Sequence, residues 1–221
     1  MTTLHRPSSE TPPRTVPFPA VPYGTAASFT TTYLDELARA AATIDPNSLE
    51  DATDILLDAY TRGRLVFSCG NGGSAAVANH LQCDHLKGVR NGTDLRSRVV
   101  SLCSNVELLT AIANDIGYHD AFAYQLQAQS EPGDVLIAIS SSGRSPNIIR
   151  ALQWGRENGL RTIALTGFGG GDAREIAETA VHVDSENYGI VEDLHQSIMH
   201  AMAQYIRQTR MSADAIASST F

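Results

Sequence analysis

The chain has 221 residues, of which 43% are hydrophobic and 18% are charged, and its formal net charge is −8. A chain of this length can bury enough apolar surface to fold as one domain without disulfides or structural metals. The negative charge argues against a general nucleic-acid binder, and no apolar run reaches the roughly 18 residues that a membrane-spanning helix needs.

Proline is concentrated at the start of the chain, where six of the nine prolines lie within the first 22 residues. Few large apolar residues accompany them, so residues 1–24 are predicted to form an arm that is either disordered or packed on a neighbouring subunit. From Ser28 the apolar residues recur every four positions, which predicts a helix. A second helix is expected to be capped by Asn47 or Ser48 and to end near Gly63.

Short apolar runs then alternate with helical patterns along the rest of the chain. The predicted strands are 64–69, 97–102, 134–140, 160–166 and 180–183. Helical patterns separate them, and a long helix over about 191–210 follows the last strand. Because strands that alternate with helices form a parallel sheet covered on both faces, the pattern predicts an α/β fold.

The cysteine pattern points to a reducing compartment. Cys69, Cys83 and Cys103 are odd in number and form no CxxC pair. The N-terminus also lacks the charged and apolar regions of a secretory signal. Free thiols in the cytoplasm are therefore expected.

Two turns rich in glycine and serine follow predicted strands and precede predicted helices. The first, CGNGGS at 69–74, lets backbone N–H groups approach an anion, although a simple tight turn explains it equally well. It lacks both the GxGxxG pattern and the lysine of a P-loop, which disfavours nucleotides. The second, SSSGRSP at 140–146, gathers four hydroxyls where a helix cap needs one, and this favours a phosphate site.

Two predicted helices carry paired histidines and carboxylates. His80 and Asp84 are four residues apart and share a helix face. Glu192 and His200 are eight apart in the last helix, hence about 80° apart around its axis. These four side chains can ligate a divalent metal, although the polar residues of the last helix could instead form an exposed face.

Four motifs, CGNGGSAAVANH, ANDIG, SSSGRS and EDLHQSIMH, resemble in their order the sugar isomerase (SIS) domain. Their spacing is similar to that of its phosphoheptose isomerase branch. The resemblance implies an SIS domain over 25–211, followed by a tail over 212–221. It further implies a three-layer α/β/α sandwich with a five-stranded parallel sheet, N-terminal helices and a long C-terminal helix.

The implied reaction is the aldose–ketose isomerisation of sedoheptulose 7-phosphate to D-glycero-D-manno-heptose 7-phosphate through an enediol or enediolate. The implied assembly is a cytoplasmic homotetramer with shared active sites. The substrate-binding positions carried over from the resemblance are Asn71, Gly72, Gly73, Ser74, Asn114, Asp115, Ser140, Ser141, Ser142, Ser145 and Glu192.

The resemblance assigns metal binding to His80, Asp84, Glu192 and His200, and catalysis to Asp84 and His200. Asp84 stands where the family usually has glutamate and is one methylene shorter, which shortens the reach of a general base. Glu192 stands where the family usually has glutamine and adds negative charge to the metal shell. Zinc is the expected ion, with manganese and iron as alternatives, and either carboxylate could be the base.

The alternative is a non-catalytic SIS module that binds a phosphosugar or a replication initiator protein as a regulator. Such modules typically lack the acid and histidine set that this chain carries, so the enzyme is favoured. The expected partners are a small sugar phosphate and further copies of the chain, with no nucleic acid or membrane. Apolar side chains of the last helix, including Ala201, Met202, Tyr205 and Ile206, favour an oligomer.

Overall fold

The computed structural model describes residues 18–221, so most of the predicted arm lies outside the described residues. The parallel sheet is confirmed. Its strands are β1 (Leu65–Gly70), β2 (Arg98–Ser101), β3 (Val135–Ser140), β4 (Arg161–Thr166) and β5 (Thr179–His182). Their order across the sheet is β2-β1-β3-β4-β5, and every neighbouring pair is parallel.

Helices flank this sheet, as the predicted α/β architecture requires. They are α1 (Ala26–Ala41), α2 (Pro46–Arg62), α3 (Gly73–Cys83), α4 (Val106–Ile112), α5 (Ala123–Gln129), α6 (Pro146–Glu157), α7 (Gly171–Ile176), α8 (Tyr188–Gln208) and α9 (Ala213–Ser218). In the described part of the chain, none combines the length and the hydropathy that crossing a membrane demands.

The central strand β3 shows why the sheet forms here. All six of its residues are buried, and Ile137 is in register with Ser68 of β1 and Ile163 of β4. A strand covered on both faces needs a continuous apolar run rather than alternation. The run VLIAIS therefore places β3 at the middle of the sheet. The serine turn (SSSGRSP at 140–146) begins at the carboxyl end of this strand.

The expected cap of α2 is wrong by two or three residues. Asp45 occupies the cap position, and its carboxylate accepts a hydrogen bond from the Asn47 backbone N–H at 3.1 Å. Pro46 takes the first helical position because its missing N–H costs nothing there, and the helix therefore starts earlier. The predicted end is confirmed, since Gly63 is the C-cap with a φ of 66°.

Two of the helices continue into π-helical turns at the predicted site residues. Helix α3 continues as Asp84–Val89, and α4 continues as Ala113–Gly117. The sequence periodicity predicted ordinary helix over about 74–87 and 106–114, without a π-turn in either. A π-turn holds an extra residue and shifts the side chains that follow, and such turns are frequent at functional sites.

The long helix α8 is more deeply buried than the sequence suggested. Met202 and Ile206 are 2% and 0% exposed, so they belong to this chain's own core and offer no surface to a partner. Tyr205 remains 49% exposed. Helix α8 packs against α1, α3 and β4, and these contacts account for the apolar stripe.

The segment predicted as a tail contains helix α9 and folds back onto α8. Arg207 is 7% exposed and donates through Nη1 to the Thr220 carbonyl at 3.0 Å. Its guanidinium also lies 4.7 Å from the centre of the Phe221 ring. The Arg207 side chain of α8 thus holds the last residues of the chain in place.

Candidate active site

The two predicted turns meet at the carboxyl ends of β1 and β3. A cavity there is lined by Asn71, Ser74, Ile139, Ser140, Ser141, Ser142, Ser145, Tyr188 and Glu192. This is the edge at which open α/β sheets bind ligands. Six of the predicted substrate-binding hydroxyl and amide residues, together with Glu192, therefore line one cavity.

The serine turn has side-chain hydroxyls that make no hydrogen bond within the described residues. Ser145 occupies the N-cap of α6, yet its side chain makes no capping hydrogen bond. The Ser141 hydroxyl is buried and has no hydrogen-bond partner among the described residues. A buried hydroxyl without a partner is costly, so the Ser141 hydroxyl is suited to an anionic ligand. The uncommitted Ser145 hydroxyl lies at the same helix N-terminus, which favours an anion.

The glycines following β4 brace the serine turn from behind. The Gly167 N–H donates to the Ser141 carbonyl and the Ala173 N–H donates to the Gly143 carbonyl, both at 3.0 Å. Gly143 has a φ of 64°, and a side chain there would overlap the Gly170 carbonyl. The segment 167–173 therefore supports the shape of the serine turn.

Glu192 lies beside the glycine turn (CGNGGS at 69–74). A methyl group at Gly73 would overlap its carboxylate, which places that carboxylate beside the first turn of α3. Burial raises the pKa of Glu192, and the neighbouring Asp193 raises it further. The carboxyl group of Glu192 therefore lies at the cavity of the serine turn, where its charged form is disfavoured.

A second cluster brings together three of the four predicted metal ligands. The Asp84 carboxylate contacts His80 Nε2 at 3.2 Å through Oδ1 and His200 Nδ1 at 2.6 Å through Oδ2. One ligand atom from each residue lies within 4.8 Å of the others. Gln196 lies one helical turn away, with its amide 2.9 Å from His200 Nε2. The short Asp84 side chain reaches both histidines from the start of the π-turn.

Glu192 does not join this cluster within one chain. It is eight residues from His200, which corresponds to about 12 Å along the axis of α8. Asn114 and Asp115 do not line the serine cavity; both are exposed, and Asn114 Nδ2 donates to Asp115 Oδ1 at 2.7 Å. Within one chain, the serine cavity (the phosphate side) and the cluster of His80, Asp84 and His200 (the histidine side) are therefore separate.

The histidine cluster suits a divalent metal of the zinc type. Imidazole nitrogens and carboxylate oxygens are the ligands that catalytic zinc sites use, and three protein ligands leave a position for substrate or water. The adjoining cavity is lined by His80, Asp84, Lys87, Gly88, Asn91, His200, Ala203, Gln204, Arg207, Thr220 and Phe221. Sequence reasoning missed the contribution of the last residues, because no motif marks a segment that folds back.

Two further histidines are buried and structural. Burial lowers the pKa of His85 and of His195 to about 4, so both rings are neutral at pH 7. The Tyr60 hydroxyl lies 2.7 Å from His85 Nδ1. Neither ring nitrogen of His195 has a well-formed hydrogen bond with the described residues. The Thr166 backbone raises the pKa of His195, but this effect is smaller than the lowering by burial. Both histidine side chains therefore lie in the core and do not face solvent.

Acid should destabilise the protein partly through His195. Its pKa is lowered from 6.5 to about 4 in the folded state, so between these pH values the unfolded chain binds a proton that the folded chain does not. The free energy of unfolding should therefore fall by about 2 kcal/mol from pH 8 to pH 5 through this residue. In His195→Leu, urea unfolding should show a correspondingly smaller fall. An equal fall in His195→Leu and wild type would contradict the prediction, and exposed His119→Leu is the control.

Comparison with known proteins agrees with this arrangement. Residues 31–167 match the SIS domain family. A phosphoheptose isomerase from Akkermansia muciniphila is 35% identical over 160 residues, which cover 72% of this chain and 84% of the relative. The solved phosphoheptose isomerase from Neisseria gonorrhoeae superposes with a TM-score of 0.76 at 30% identity, covering 83% of this chain and 100% of that one. The enzyme from Francisella tularensis gives 0.77 at 27% identity, covering 83% and 99%.

The chain therefore belongs to the SIS domain family. Within that family it groups with the phosphoheptose isomerases, and it is a phosphosugar isomerase enzyme. The resemblance drawn from the four motifs is confirmed at this level.

Proposed function

We propose that the enzyme interconverts sedoheptulose 7-phosphate and D-glycero-D-manno-heptose 7-phosphate through an enediol or enediolate, with the help of a divalent metal. The observation that carries this proposal is Asp84, whose carboxylate lies between His80 and His200. An acid held between two imidazoles is suited to moving a proton. The phosphoheptose isomerase name of the relatives supports the choice of substrate.

The serine turn binds the phosphate in this proposal. The hydroxyls of Ser141 and Ser145 are available, and the N-terminus of α6 favours an anion. Binding energy at the phosphate then orients the reacting carbons at the other end of the sugar. Asn71 and Ser74 line the same cavity and contact the nearer sugar hydroxyls.

Asp84 takes the proton from the carbon next to the carbonyl, and His200 moves a proton between the two oxygens. His80, Asp84 and His200 would hold the metal, with zinc favoured by the ligand types and manganese or iron as alternatives. When bound, such an ion polarises the carbonyl as a Lewis acid. Within one chain, Asp84 is the carboxylate that contacts both histidines, whereas Glu192 lines the serine cavity, so Asp84 is assigned as the base.

The test is direct conversion. Incubating the purified protein with ketose phosphates of five, six and seven carbons, and following aldose formation by NMR, identifies the substrate. We expect the seven-carbon ketose 7-phosphate to be converted with the highest kcat/KM. Preference for a shorter sugar would overturn the assigned substrate, and no conversion at all would overturn the isomerisation.

Changes at Asp84 should separate charge from reach. Asp84→Asn keeps the shape but removes the base and an anionic ligand, so kcat should fall by about 100-fold or more. Asp84→Glu restores the usual family residue, and its extra methylene should change kcat by no more than about tenfold. Steady-state kinetics with metal content measured on the same samples provide the check. Equal activity of Asp84→Asn and wild type would contradict the role of base.

We further propose a cytoplasmic homotetramer whose active sites are shared between copies. The separation of Glu192 from the histidine cluster by about 12 Å along α8 supports sharing, since a second copy could complete each site. Free thiols at Cys69, Cys83 and Cys103 agree with a reducing compartment.

Sharing can be tested by mixing two variants that are each impaired on a different side of the site. Ser141→Ala damages the phosphate side and His200→Ala damages the histidine side. If sites are shared, co-refolding the two variants should restore roughly a quarter of the sites in a random tetramer, because some sites receive two intact halves. Light scattering on the same samples reports the assembly. An active monomer, or no recovery on mixing, would refute shared sites.

A further inference from the structure

A reciprocal pair of amide hydrogen bonds joins the glycine turn to the first turn of α6, which follows the serine turn. Asn71 Nδ2 donates to Asn147 Oδ1, and Asn147 Nδ2 donates to Asn71 Oδ1, both at 2.9 Å. The Tyr118 hydroxyl donates a third bond to Asn71 Oδ1 at 2.7 Å. Asn147 is 2% exposed, so water cannot easily replace these bonds if they are lost.

The backbone of α6 fixes which way both amides face. The Ile148 N–H donates to Asn147 Oδ1 at 3.0 Å. Since a backbone N–H only donates, the atom facing it must be oxygen, and Asn147 therefore turns its Nδ2 toward Asn71. Asn71 Oδ1 must then accept from both Asn147 and Tyr118, which uses both of its lone pairs.

Asn71 can offer only a hydrogen-bond donor to a ligand. An amide nitrogen carries two hydrogens, and among the described residues only Asn147 accepts one of them. Asn71 also lines the serine cavity. What it presents to a molecule bound there is an N–H donor, because its oxygen is already occupied.

We propose that Asn147 and Tyr118 are positioning residues that hold Asn71 as an obligate hydrogen-bond donor toward an oxygen of the sugar phosphate bound at the serine turn. This inference rests on the proposed function for the identity of the ligand. The amide pair also sets the distance between the glycine turn and the serine turn. Neither Asn147 nor Tyr118 needs to touch the substrate to act in this way.

Two ligands of different length test the proposal. Inorganic phosphate should contact only the serine turn, whereas sedoheptulose 7-phosphate should reach Asn71 as well. In Asn147→Ala, the Kd for the sugar phosphate should rise about tenfold, which is the value of one good hydrogen bond, while the Kd for phosphate changes less than about twofold. Tyr118→Phe should show the same split at about threefold. Asn158→Ala, which removes an exposed amide from the other end of α6, is the matched control.

If the variants bound phosphate and the sugar phosphate with equally reduced affinity, the change would reflect only a loosened structure and would overturn the proposal. Unchanged affinity for the sugar phosphate in both variants would also overturn it. Tyr118 is 50% exposed, so Tyr118→Phe remains testable if Asn147→Ala does not fold. If the wild type binds phosphate but neither binds nor converts the sugar phosphate, the proposed function fails. In that case a double-mutant cycle measures whether the Asn71 and Asn147 side chains are coupled. Additive decreases in Tm for Asn71→Ala and Asn147→Ala would overturn the pairing, whereas a decrease in the double variant no larger than in either single variant would support it.

Discussion

Replacing His200 by alanine is expected to remove bound metal and isomerase activity together. His200 reaches the Asp84 carboxylate at 2.6 Å and supplies one of the three clustered ligand atoms. Even residues that only support metal ligands contribute about 10–100-fold, so losing a ligand should reduce kcat/KM by at least about 100-fold. Metal content and the initial rate are measured on the same preparation, before and after chelation.

The matched control for this change is His119→Ala. His119 is similarly exposed and also lies beside a carboxylate, with Nε2 3.0 Å from Asp120, but it is outside the cluster. It should retain metal and activity. Full activity of His200→Ala, or of wild type after complete chelation, would defeat the metal-assisted mechanism and leave the phosphate site standing.

Sedoheptulose without its phosphate is expected to be converted at least about 1000-fold less efficiently than the 7-phosphate. Hydrogen bonds to a charged group contribute about 1.5–3 kcal/mol each, and two such bonds from the serine turn account for this factor. The measurement is kcat/KM for both sugars under the same conditions. Equal values would refute the phosphate anchor.

The serine turn offers a variant for the same prediction. The Ser141 hydroxyl has no partner among the described residues, so Ser141→Ala should leave Tm nearly unchanged. It should nonetheless weaken phosphate binding by about tenfold, because the ligand loses a donor. Ser130→Ala, which removes a hydroxyl bonded to the Leu126 carbonyl far from the site, is the control. An equal or larger loss of phosphate affinity in Ser130→Ala would show that the effect is not local.

The sequence alone determined the class of fold and the parts of the site. Continuous apolar runs such as VLIAIS predict buried parallel strands, because both faces of such strands are covered. Glycine and serine clusters after strands predict anion binding, because backbone N–H groups and hydroxyls at a helix start are local properties. The four-residue spacing of His80 and Asp84 is likewise a local property of a helix, and the structure brings the two side chains together.

Only the tertiary structure decided how those parts combine. Periodicity cannot show a π-turn, so the position from which Asp84 reaches both histidines became visible only in the packed chain. The separation of Glu192 from His200, and the pairing of Asn71 with Asn147, depend on contacts between residues far apart in sequence. The burial of Met202 and the return of Phe221 to Arg207 are of the same kind. Local patterns state which groups are available, whereas packing across long sequence separations decides which of them meet.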